Sequence, residues 1–254
     1  MTDDSTRAFY DDLAADYDLI FPDWDASIRR QAAALDGLLA RDLGGPRLAI
    51  LDCACGIGTQ VIGLAALGHR VVGSDLSPAA VVRARHEARQ RGLELPLVTA
   101  DMTHLPFAYG RFDVIVCADN AIAHLLTEAR LASALAEMHR VLRPGGLLVL
   151  TTRSEAVRET HPQWAPPQLR QGPAGRVITF QLWDWHPDGE HYDLEHIQLH
   201  SQGEGYTARV RRTTSWPLRH DQVSAAARRA GFGSSSWHDP GETGFPQPIL
   251  TARS

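Results

Sequence analysis

The chain has 254 residues and a net charge of −5, and its apolar content of 44% is typical of a globular protein with a deep buried core. Acidic and basic residues are interspersed without a basic stripe, so the composition argues against nucleic acid as a partner. No apolar run has the length of a membrane span and residues 1–7 do not resemble a signal peptide, so we expect a cytoplasmic protein without a membrane partner.

The first predicted element is an amphipathic helical stretch over residues 5–39. Its aromatic residues include Tyr10, Tyr17, Phe21 and Trp24. We expect residues 1–45 to form an N-terminal helical cap that packs across the open edge of the main domain.

A predicted buried strand over residues 48–53 leads into a glycine turn with Gly56 and Gly58. Because glycine has no Cβ atom, the backbone of such a turn can take positive φ angles and approach a bound nucleoside closely. A dinucleotide site would have a third glycine where this chain has Val61. The turn alone therefore indicates only a generic nucleotide site.

Strands and helices then alternate as far as residue 152. Strands are predicted over residues 70–74, 96–100, 112–118 and 147–152, and the helices between them begin at Ser77-Pro78 and at Thr127. This alternation predicts an α/β fold of the Rossmann-like, doubly wound kind, in which the sheet is mostly parallel.

From residue 177 onward the pattern changes to successive strands over residues 177–185, 191–200 and 206–215. They predict an inserted antiparallel β lid over residues 154–215. A helix over residues 221–230 and two strands over residues 234–238 and 247–252 follow, and these strands can close the sheet as a hairpin pair whose last strand is antiparallel. The main domain is therefore predicted from residues 46–153 and 216–254.

Two acidic residues follow predicted strands of the main domain. Asp75 lies about 20 residues after the glycine turn, where a carboxylate can accept hydrogen bonds from both ribose hydroxyls of a nucleoside. It could instead cap the next helix, although Ser77 is better placed for that. Asp101 could accept from an adenine amine while Met102 covers the ring, or it could be an ordinary loop acid.

Asn120 and His124 follow the fourth strand, next to the point where the strand order of a doubly wound sheet reverses. Ligands react there in open α/β sheets, although a histidine by itself is more often structural. Cys53, Cys55 and Cys117 fall in or beside predicted strands without a second Cys-x-x-Cys or a histidine pair, so we interpret them as core residues and expect no metal.

In this order, these segments resemble the class I S-adenosylmethionine-dependent methyltransferases. The matching motifs are Asp52-Cys53-Ala54-Cys55-Gly56-Ile57-Gly58-Thr59, Gly73-Ser74-Asp75-Leu76-Ser77, Ala100-Asp101-Met102 and Val141-Leu142-Arg143-Pro144-Gly145-Gly146. Within that superfamily the chain is similar to the glycine and sarcosine N-methyltransferases. The narrower likeness includes Tyr17-Asp18-Leu19-Ile20-Phe21-Pro22-Asp23-Trp24, Asp119-Asn120-Ala121-Ile122-Ala123-His124-Leu125, Phe180-Gln181-Leu182-Trp183-Asp184-Trp185 and Gly244-Phe245-Pro246-Gln247-Pro248-Ile249.

The resemblance implies S-adenosylmethionine as the cofactor and S-adenosylhomocysteine as its product. It implies that N-terminal aromatics and Arg29 or Arg30 reach the methionine half, where an aromatic face beside a sulfonium is favourable. These aromatics could equally serve only to pin the cap. The complete set of predicted cofactor-binding residues is Tyr10, Tyr17, Trp24, Arg30, Ala54, Gly56, Gly58, Thr59, Asp75, Leu76, Ser77, Asp101, Met102, Ala118 and Asn120.

For the acceptor, the resemblance implies that Arg153 pairs with the carboxylate of an amino acid, which a guanidinium suits. The family follows this arginine with a polar residue, tyrosine and aspartate, whereas this chain has Ser154-Glu155-Ala156, a change that would enlarge the pocket. Lid aromatics could line that pocket or form the lid's own core. The predicted substrate-binding residues are Asn120, His124, Arg153, Trp183, Trp185 and Tyr192, and the predicted catalytic residues are His124, Tyr17 and Arg153.

Methyl transfer from a sulfonium is an in-line displacement, so we expect positioning rather than a nucleophilic side chain to supply most of the catalysis. An amine acceptor must arrive deprotonated, and His124 or Glu155 could take its proton. The sequence thus predicts methylation of the nitrogen of an amino acid or related small-molecule amine. The alternatives are N-, O- or C-methylation of a larger aromatic metabolite and, more remotely, non-catalytic binding of the cofactor; homo-oligomer formation stays open.

Overall fold

The computed structural model describes residues 3–45, 47–172 and 175–254. Residues 1, 2, 46, 173 and 174, which fall within the predicted cap, main domain and lid, lie outside the described residues. None of the helices in the described part of the chain combines the length and apolar character that crossing a bilayer requires.

The main domain is built on a seven-stranded sheet with the order β10-β11-β5-β4-β1-β2-β3. Its strands are β1 Ala49–Asp52, β2 Arg70–Asp75, β3 Leu97–Thr99, β4 Phe112–Cys117, β5 Leu142–Thr151, β10 Ser235–His238 and β11 Ile249–Arg253. β1 to β5 pair in parallel, and β11 runs antiparallel to both of its neighbours. The predicted fold class, including the antiparallel last strand, is confirmed.

Helices cover both faces of this sheet. The helices of the chain are α1 Asp3–Leu13, α2 Trp24–Leu43, α3 Thr59–Ala66, α4 Pro78–Gln90, α5 Glu128–Val141, α6 Ala156–Thr160, α7 His220–Arg229 and α8 Pro240–Thr243. Side chains of α2, α3 and α4 form one apolar cluster, and those of α5 and α7 form the other. Consecutive residues of β4 alternate between the two clusters and are all buried, which explains why this strand has no polar positions apart from Asp113.

The helices of the predicted cap pack on other helices and not along an edge strand of the sheet. The edge strands are β3 and β10, whereas α2 packs on α3 and α1 lies against α4. The apolar face of α2, including Ile28, Leu35 and Leu39, is buried in the same cluster as α3. Packing one face of a helix on another helix removes more apolar surface from water than covering a strand edge would.

Gly63 allows the close approach of α2 and α3. A Cβ atom on Gly63 would lie 2.6 Å from the Cβ of Ala32 and 2.8 Å from the carbonyl oxygen of Ile28. Gly37, which is also inside a helix, has no atom within 4 Å of the corresponding position. The two glycines therefore form a matched pair, because an added Cβ atom would clash at Gly63 and would meet empty space at Gly37.

We expect Gly63→Ala to lower the free energy of unfolding by about 1–3 kcal/mol, because the added methyl group overpacks the contact between the helices. Gly37→Ala should instead raise it by about 0.5–1 kcal/mol, since alanine restricts the unfolded chain and favours helix. Urea denaturation of the two variants measures both values. Equal effects of the same sign would contradict the close-packing interpretation.

The inserted lid is a four-stranded antiparallel sheet with the order β6-β7-β8-β9. Its strands are β6 Trp164–Gly172, β7 Gly175–Trp185, β8 Tyr192–Gln202 and β9 Gly205–Ser215. The sequence pattern predicted the last three but missed β6 and α6. Pro166 and Pro167 lie inside β6, where proline argues against a strand, and the pairing with β7 shifts register at that point. β6 tolerates them because it is an edge strand.

An ion network around one buried arginine ties the lid to the cap. The guanidinium of Arg211 on β9 is almost fully buried and donates to Asp12 Oδ2 at 2.6 Å and to Asp16 Oδ2 at 3.0 Å. Arg209 also pairs with Asp16, at 2.9 Å. Asp12 and Asp16 lie close in sequence to Tyr10 and Tyr17, so the lid helps to fix the position of these two tyrosines.

Candidate functional site

Two adjoining cavities lie where the cap and the lid meet the carboxyl ends of β1, β2 and β4. Their empty volumes, including the space at their open mouths, are about 800 and 1050 Å³. The first is lined by the glycine turn and the acidic residues that follow the strands, and the second lies between the cap and the lid. Both are lined by Tyr10, Tyr17, Asp119 and His124, which define their junction.

The two glycines of the turn have different roles. Both take left-handed φ angles, 51° at Gly56 and 107° at Gly58. A Cβ on Gly58 would lie 2.9 Å from Cδ1 of Ile62, so Gly58 is required by packing under α3. A Cβ on Gly56 would meet no atom within 4 Å, and Gly56 lines the first cavity. Gly56 thus leaves the backbone open to a ligand.

Backbone N–H groups fix the carboxylate of Asp75 in the lining of the first cavity. Its Oδ2 accepts from the N–H of Gly56 at 2.8 Å, and its Oδ1 accepts from the N–H of Ser77 at 2.8 Å. Burial raises the pKa of Asp75, and these two hydrogen bonds oppose the rise. Each oxygen can still accept a second donor, which the paired hydroxyls of a ribose would supply.

Ser77 caps α4, as the sequence predicted. Its Oγ accepts from the N–H of Ala80 at 3.0 Å and donates to Asp11 of α1 at 2.5 Å. The side chain is fully buried and does not line either cavity. Its position therefore supports the turn and the cap rather than direct contact with a ligand.

Asp101 and Met102 line the same cavity. Asp101 Oδ1 accepts from the N–H of Thr103 at 2.8 Å, and Oδ2 accepts from the guanidinium of Arg130 at 3.1 Å. Burial opposes the shift, but these bonds lower the pKa of Asp101 below its usual value. The group is therefore an ionised acceptor beside an apolar side chain, which suits an adenine amine.

A tyrosine and a histidine are paired at the junction. The hydroxyl of Tyr10 lies 2.7 Å from Nε2 of His124, and Nδ1 of His124 lies 3.2 Å from the carbonyl oxygen of Thr214. Because a carbonyl only accepts, Nδ1 carries the proton and Nε2 accepts from Tyr10. Burial and the charge of Arg153 lower the pKa of His124 to about 4, against the hydrogen bond with Thr214, so the imidazole is neutral at pH 7.

The second cavity contains the guanidinium of Arg153. It stacks 4.8 Å above the ring of Trp183, and its Nε atom is buried without a hydrogen-bond partner in the described part of the chain. The backbone N–H of Arg153 donates to Oδ1 of Asn120 at 3.0 Å, which fixes the start of this segment. A buried donor of this kind is stable only when a ligand or water accepts from it, and a carboxylate fits its fork best.

Most of the residues predicted from the sequence meet at these cavities. The first is lined by Tyr10, Tyr17, Ala54, Gly56, Thr59, Asp75, Leu76, Asp101, Met102, Ala118 and His124. The second is lined by Tyr10, Tyr17, Arg30, Asn120, His124, Arg153 and Tyr192. Arg30, which the resemblance assigned to the methionine half of the cofactor, lines the second cavity and not the first.

Trp24, Trp183 and Trp185 line neither cavity. The indole N–H of Trp24 donates to Oγ1 of Thr59 at 2.9 Å, so Trp24 supports a residue that lines the first cavity. Trp183 stacks on Tyr192 at a centroid distance of 5.0 Å. Trp185 donates to the carbonyl of Pro162 and stacks on His161. Both lid tryptophans thus pack in the lid's core cluster.

Glu155 also lies outside both cavities, since its Oε1 accepts from the N–H of His220 at 2.7 Å. Sequence reasoning did not assign Gln60 or Asp119, which line the cavities. Asp119 could have been found from its position two residues after the end of β4. The three cysteines are buried free thiols, as predicted, and the described residues contain no cluster of three metal-ligating side chains.

A sequence model of the family described as "Methyltransferase domain" matches residues 50–146, the segment that carries the glycine turn, Asp75, Asp101 and the end of β4. Over these residues the chain is similar to a methyltransferase domain. The match begins in β1 and ends inside β5, so the domain supplies most of the first cavity, whereas the cap and the lid supply most of the second.

Named relatives show how far the likeness extends. The chain is 36% identical over 159 residues to the demethylmenaquinone methyltransferase of Beutenbergia cavernae, covering 62% of this chain and 59% of that protein. It is 33% identical over 154 residues to the glycine/sarcosine N-methyltransferase of Parasynechococcus marenigrum, covering 60% and 53%. The chain thus spans between half and two thirds of the length of these relatives.

Solved structures extend the likeness in fold to nearly the whole chain. The S-adenosylmethionine-bound amino pentose methyltransferase of Micromonospora echinaspora superposes with a TM-score of 0.72 at 22% identity, covering 90% of this chain and 92% of that one. The resemblance to class I S-adenosylmethionine-dependent methyltransferases is confirmed. The fit of S-adenosylmethionine to the methyltransferase domain is supported by Gly56 and by the two free acceptor positions of Asp75.

Proposed function

We propose that this protein transfers a methyl group from S-adenosylmethionine to the nitrogen of a small molecule that carries an amine and a carboxylate, such as an amino acid. The observation that carries this proposal is Arg153, whose buried Nε lacks a partner among the described residues in the cavity next to the first. A small acceptor with its carboxylate on Arg153 would present its other end to the junction of the cavities.

In this proposal the first cavity holds the methyl donor. Asp75 accepts from the ribose hydroxyls, Asp101 accepts from the adenine amine, and Gly56 allows close approach of the backbone. When bound, S-adenosylmethionine supplies a methyl group on a positively charged sulfur. Tyr10 and Tyr17 line the junction, where their aromatic faces favour such a cation.

The protein's main contribution is position. Holding donor and acceptor in line is worth on the order of 7–11 kcal/mol in favourable intramolecular cases. Tyr10 and His124 form a neutral pair at the junction, and the lone pair of Nε2 is already used by the tyrosine hydroxyl. This pairing favours a positioning role for His124, with Tyr10 offering its oxygen to the acceptor.

The relatives named glycine/sarcosine N-methyltransferase support an amine acceptor. The second cavity has an empty volume of about 1050 Å³ including its open mouth, and Glu155 lies outside it. This volume supports an acceptor larger than glycine that retains an amino-acid end.

A second candidate is methylation of a ring carbon, which the relatives named demethylmenaquinone methyltransferase favour. The charges of Arg30 and Arg153 in the second cavity weigh against it, because burying them against an apolar ring would leave their donors unpaired. An anionic or carboxylated ring would remove that objection.

Calorimetry followed by methyl transfer tests the proposal. We expect S-adenosylhomocysteine to bind to the intact chain, and labelled methyl groups to pass to amino acids or amino-acid derivatives rather than to a naphthoquinol. Binding without transfer to any acceptor would leave only the non-catalytic binding protein. Absence of binding would overturn the proposal as a whole.

A further inference from the structure

Asp119 is a carboxylate at the junction that neither the resemblance nor the strand pattern assigned to a role. It lies two residues after the end of β4, is half-buried and lines both cavities. It has a left-handed φ of 54°, and the next residue, Asn120, has one of 64°. Such angles are costly for residues other than glycine, although aspartate and asparagine tolerate them best, and they occur often at functional sites.

The neighbours of this turn hold it in place. The carbonyl oxygen of the Asn120 side chain accepts from the backbone N–H of Arg153 at 3.0 Å. Oδ2 of Asp119 accepts from Nε2 of Gln60 at 3.0 Å, and the same amide nitrogen donates to Oε1 of Gln31 at 2.6 Å. α2, α3 and the loop after β4 thus fix one oxygen of Asp119.

The second oxygen, Oδ1, has no hydrogen-bond partner in the described part of the chain, and no arginine or histidine there forms an ion pair with Asp119. Burial raises the pKa of Asp119, and the hydrogen bond from Gln60 opposes the rise. A carboxylate placed like this is stabilised when a cation binds to it.

Its charge acts on the junction itself. The negative charge of Asp119 contributes to the raised pKa values of Tyr10 and Tyr17, after burial as the main cause. The second cavity is therefore lined both by the carboxylate of Asp119 and by the guanidinium of Arg153. A molecule with an ammonium and a carboxylate matches this pair of opposite charges.

We propose that Asp119 binds the ammonium group of the acceptor at the junction and so selects cationic amines as substrates. This inference rests on the proposed methyl transfer and names the group that recognises the amine. The ammonium gives one proton to the Asp119 carboxylate. The freed nitrogen lone pair then forms the bond to the methyl carbon, and the carbon–sulfur bond pair returns to sulfur as a neutral thioether. The product is a methylated ammonium, and the proton leaves Asp119 for solvent.

The first experiment needs no acceptor. Sinefungin is an S-adenosylmethionine analogue with an amino group in place of the S-methyl unit, so its ammonium points at the junction. We expect the wild-type protein to bind sinefungin about 10-fold or more tightly than S-adenosylhomocysteine, because a charge-assisted hydrogen bond is gained. Asp119→Asn should reduce this preference to within about threefold and leave the affinity for S-adenosylhomocysteine within about threefold of wild type.

Asp184→Asn is the matched control, since Asp184 is exposed on the lid outside both cavities. It should keep the full preference for sinefungin. An unchanged preference in Asp119→Asn would overturn the inference. An equal loss of affinity for both ligands would also overturn it, because Asp119 would then contact a group that both ligands share, such as the amine of the methionine part. Failure of the wild-type protein to bind either ligand would instead refute the methyltransferase proposal, and this inference with it.

The second experiment compares acceptors in pairs that differ only in the amine, such as glycine with glycolate. We expect wild type to methylate the amine member and Asp119→Asn to lower kcat/KM for it by about 30-fold or more. Equal turnover of an amine by both proteins, or transfer only to a neutral carbon or hydroxyl, would overturn the inference while preserving the methyltransferase. If no pair reacts, the sinefungin preference alone decides.

Discussion

Asp75→Ala should weaken the binding of S-adenosylhomocysteine by about 100- to 1000-fold. Two ribose hydroxyls would lose a charged acceptor, and hydrogen bonds to charged groups contribute roughly 1.5–3 kcal/mol each. The N–H groups of Gly56 and Ser77 would also lose their acceptor, which loosens the glycine turn. Isothermal titration calorimetry at a fixed pH near 7 measures the change in affinity.

Asp113→Ala is the control that distinguishes a loss of ligand affinity from a loss of folding stability. Asp113 is also a buried carboxylate that accepts from a backbone N–H, that of Ala49 at 2.7 Å, but it lies at the amino end of β4, away from the cavities. We expect this variant to lose about 1–3 kcal/mol of folding stability and to keep its affinity within about threefold. A comparable loss of affinity in both variants would contradict the ribose assignment.

Arg153→Met should lower kcat/KM for a carboxylate-bearing amine by about 100- to 1000-fold, because the acceptor loses a bidentate charged partner. Methionine retains the length and the apolar contact with Trp183, so the lid should keep its packing. The affinity for S-adenosylhomocysteine should stay within about threefold of wild type, since Arg153 lines only the second cavity. Steady-state kinetics with a carboxylate-bearing amine that wild type methylates give the ratio.

A change of acceptor provides the control for this variant. Replacing the carboxylate of the acceptor by an amide should reduce turnover by wild type and have little effect on turnover by Arg153→Met. Arg153→Lys should recover part of the loss, because lysine restores the charge but not the planar fork. If the amide and the carboxylate respond alike to Arg153→Met, Arg153 does not contact the carboxylate.

Much of the fold could be predicted because its signals are local. The run from Phe112 to Cys117 has the continuous apolar character of a strand buried on both faces, and Ser77-Pro78 begins a helix by capping chemistry. β6 could not be predicted, since its two prolines disfavour a strand and only the edge position in the lid makes them tolerable. The path of the cap was likewise decided by Gly63, which lets α2 approach α3 instead of a sheet edge.

Part of the candidate site could likewise be predicted and part could not. The turn with Gly56 and the position of Asp75 could be predicted, because β1, the turn after it and the end of β2 form one local unit. The arrangement of the second cavity follows from the tertiary structure. Arg153, Asp119 and Arg30 come from segments far apart in the chain, and their distances and unpaired atoms depend on how cap, sheet and lid pack. Interactions between residues close in sequence can be predicted from the sequence, whereas interactions between distant segments form only when the chain folds.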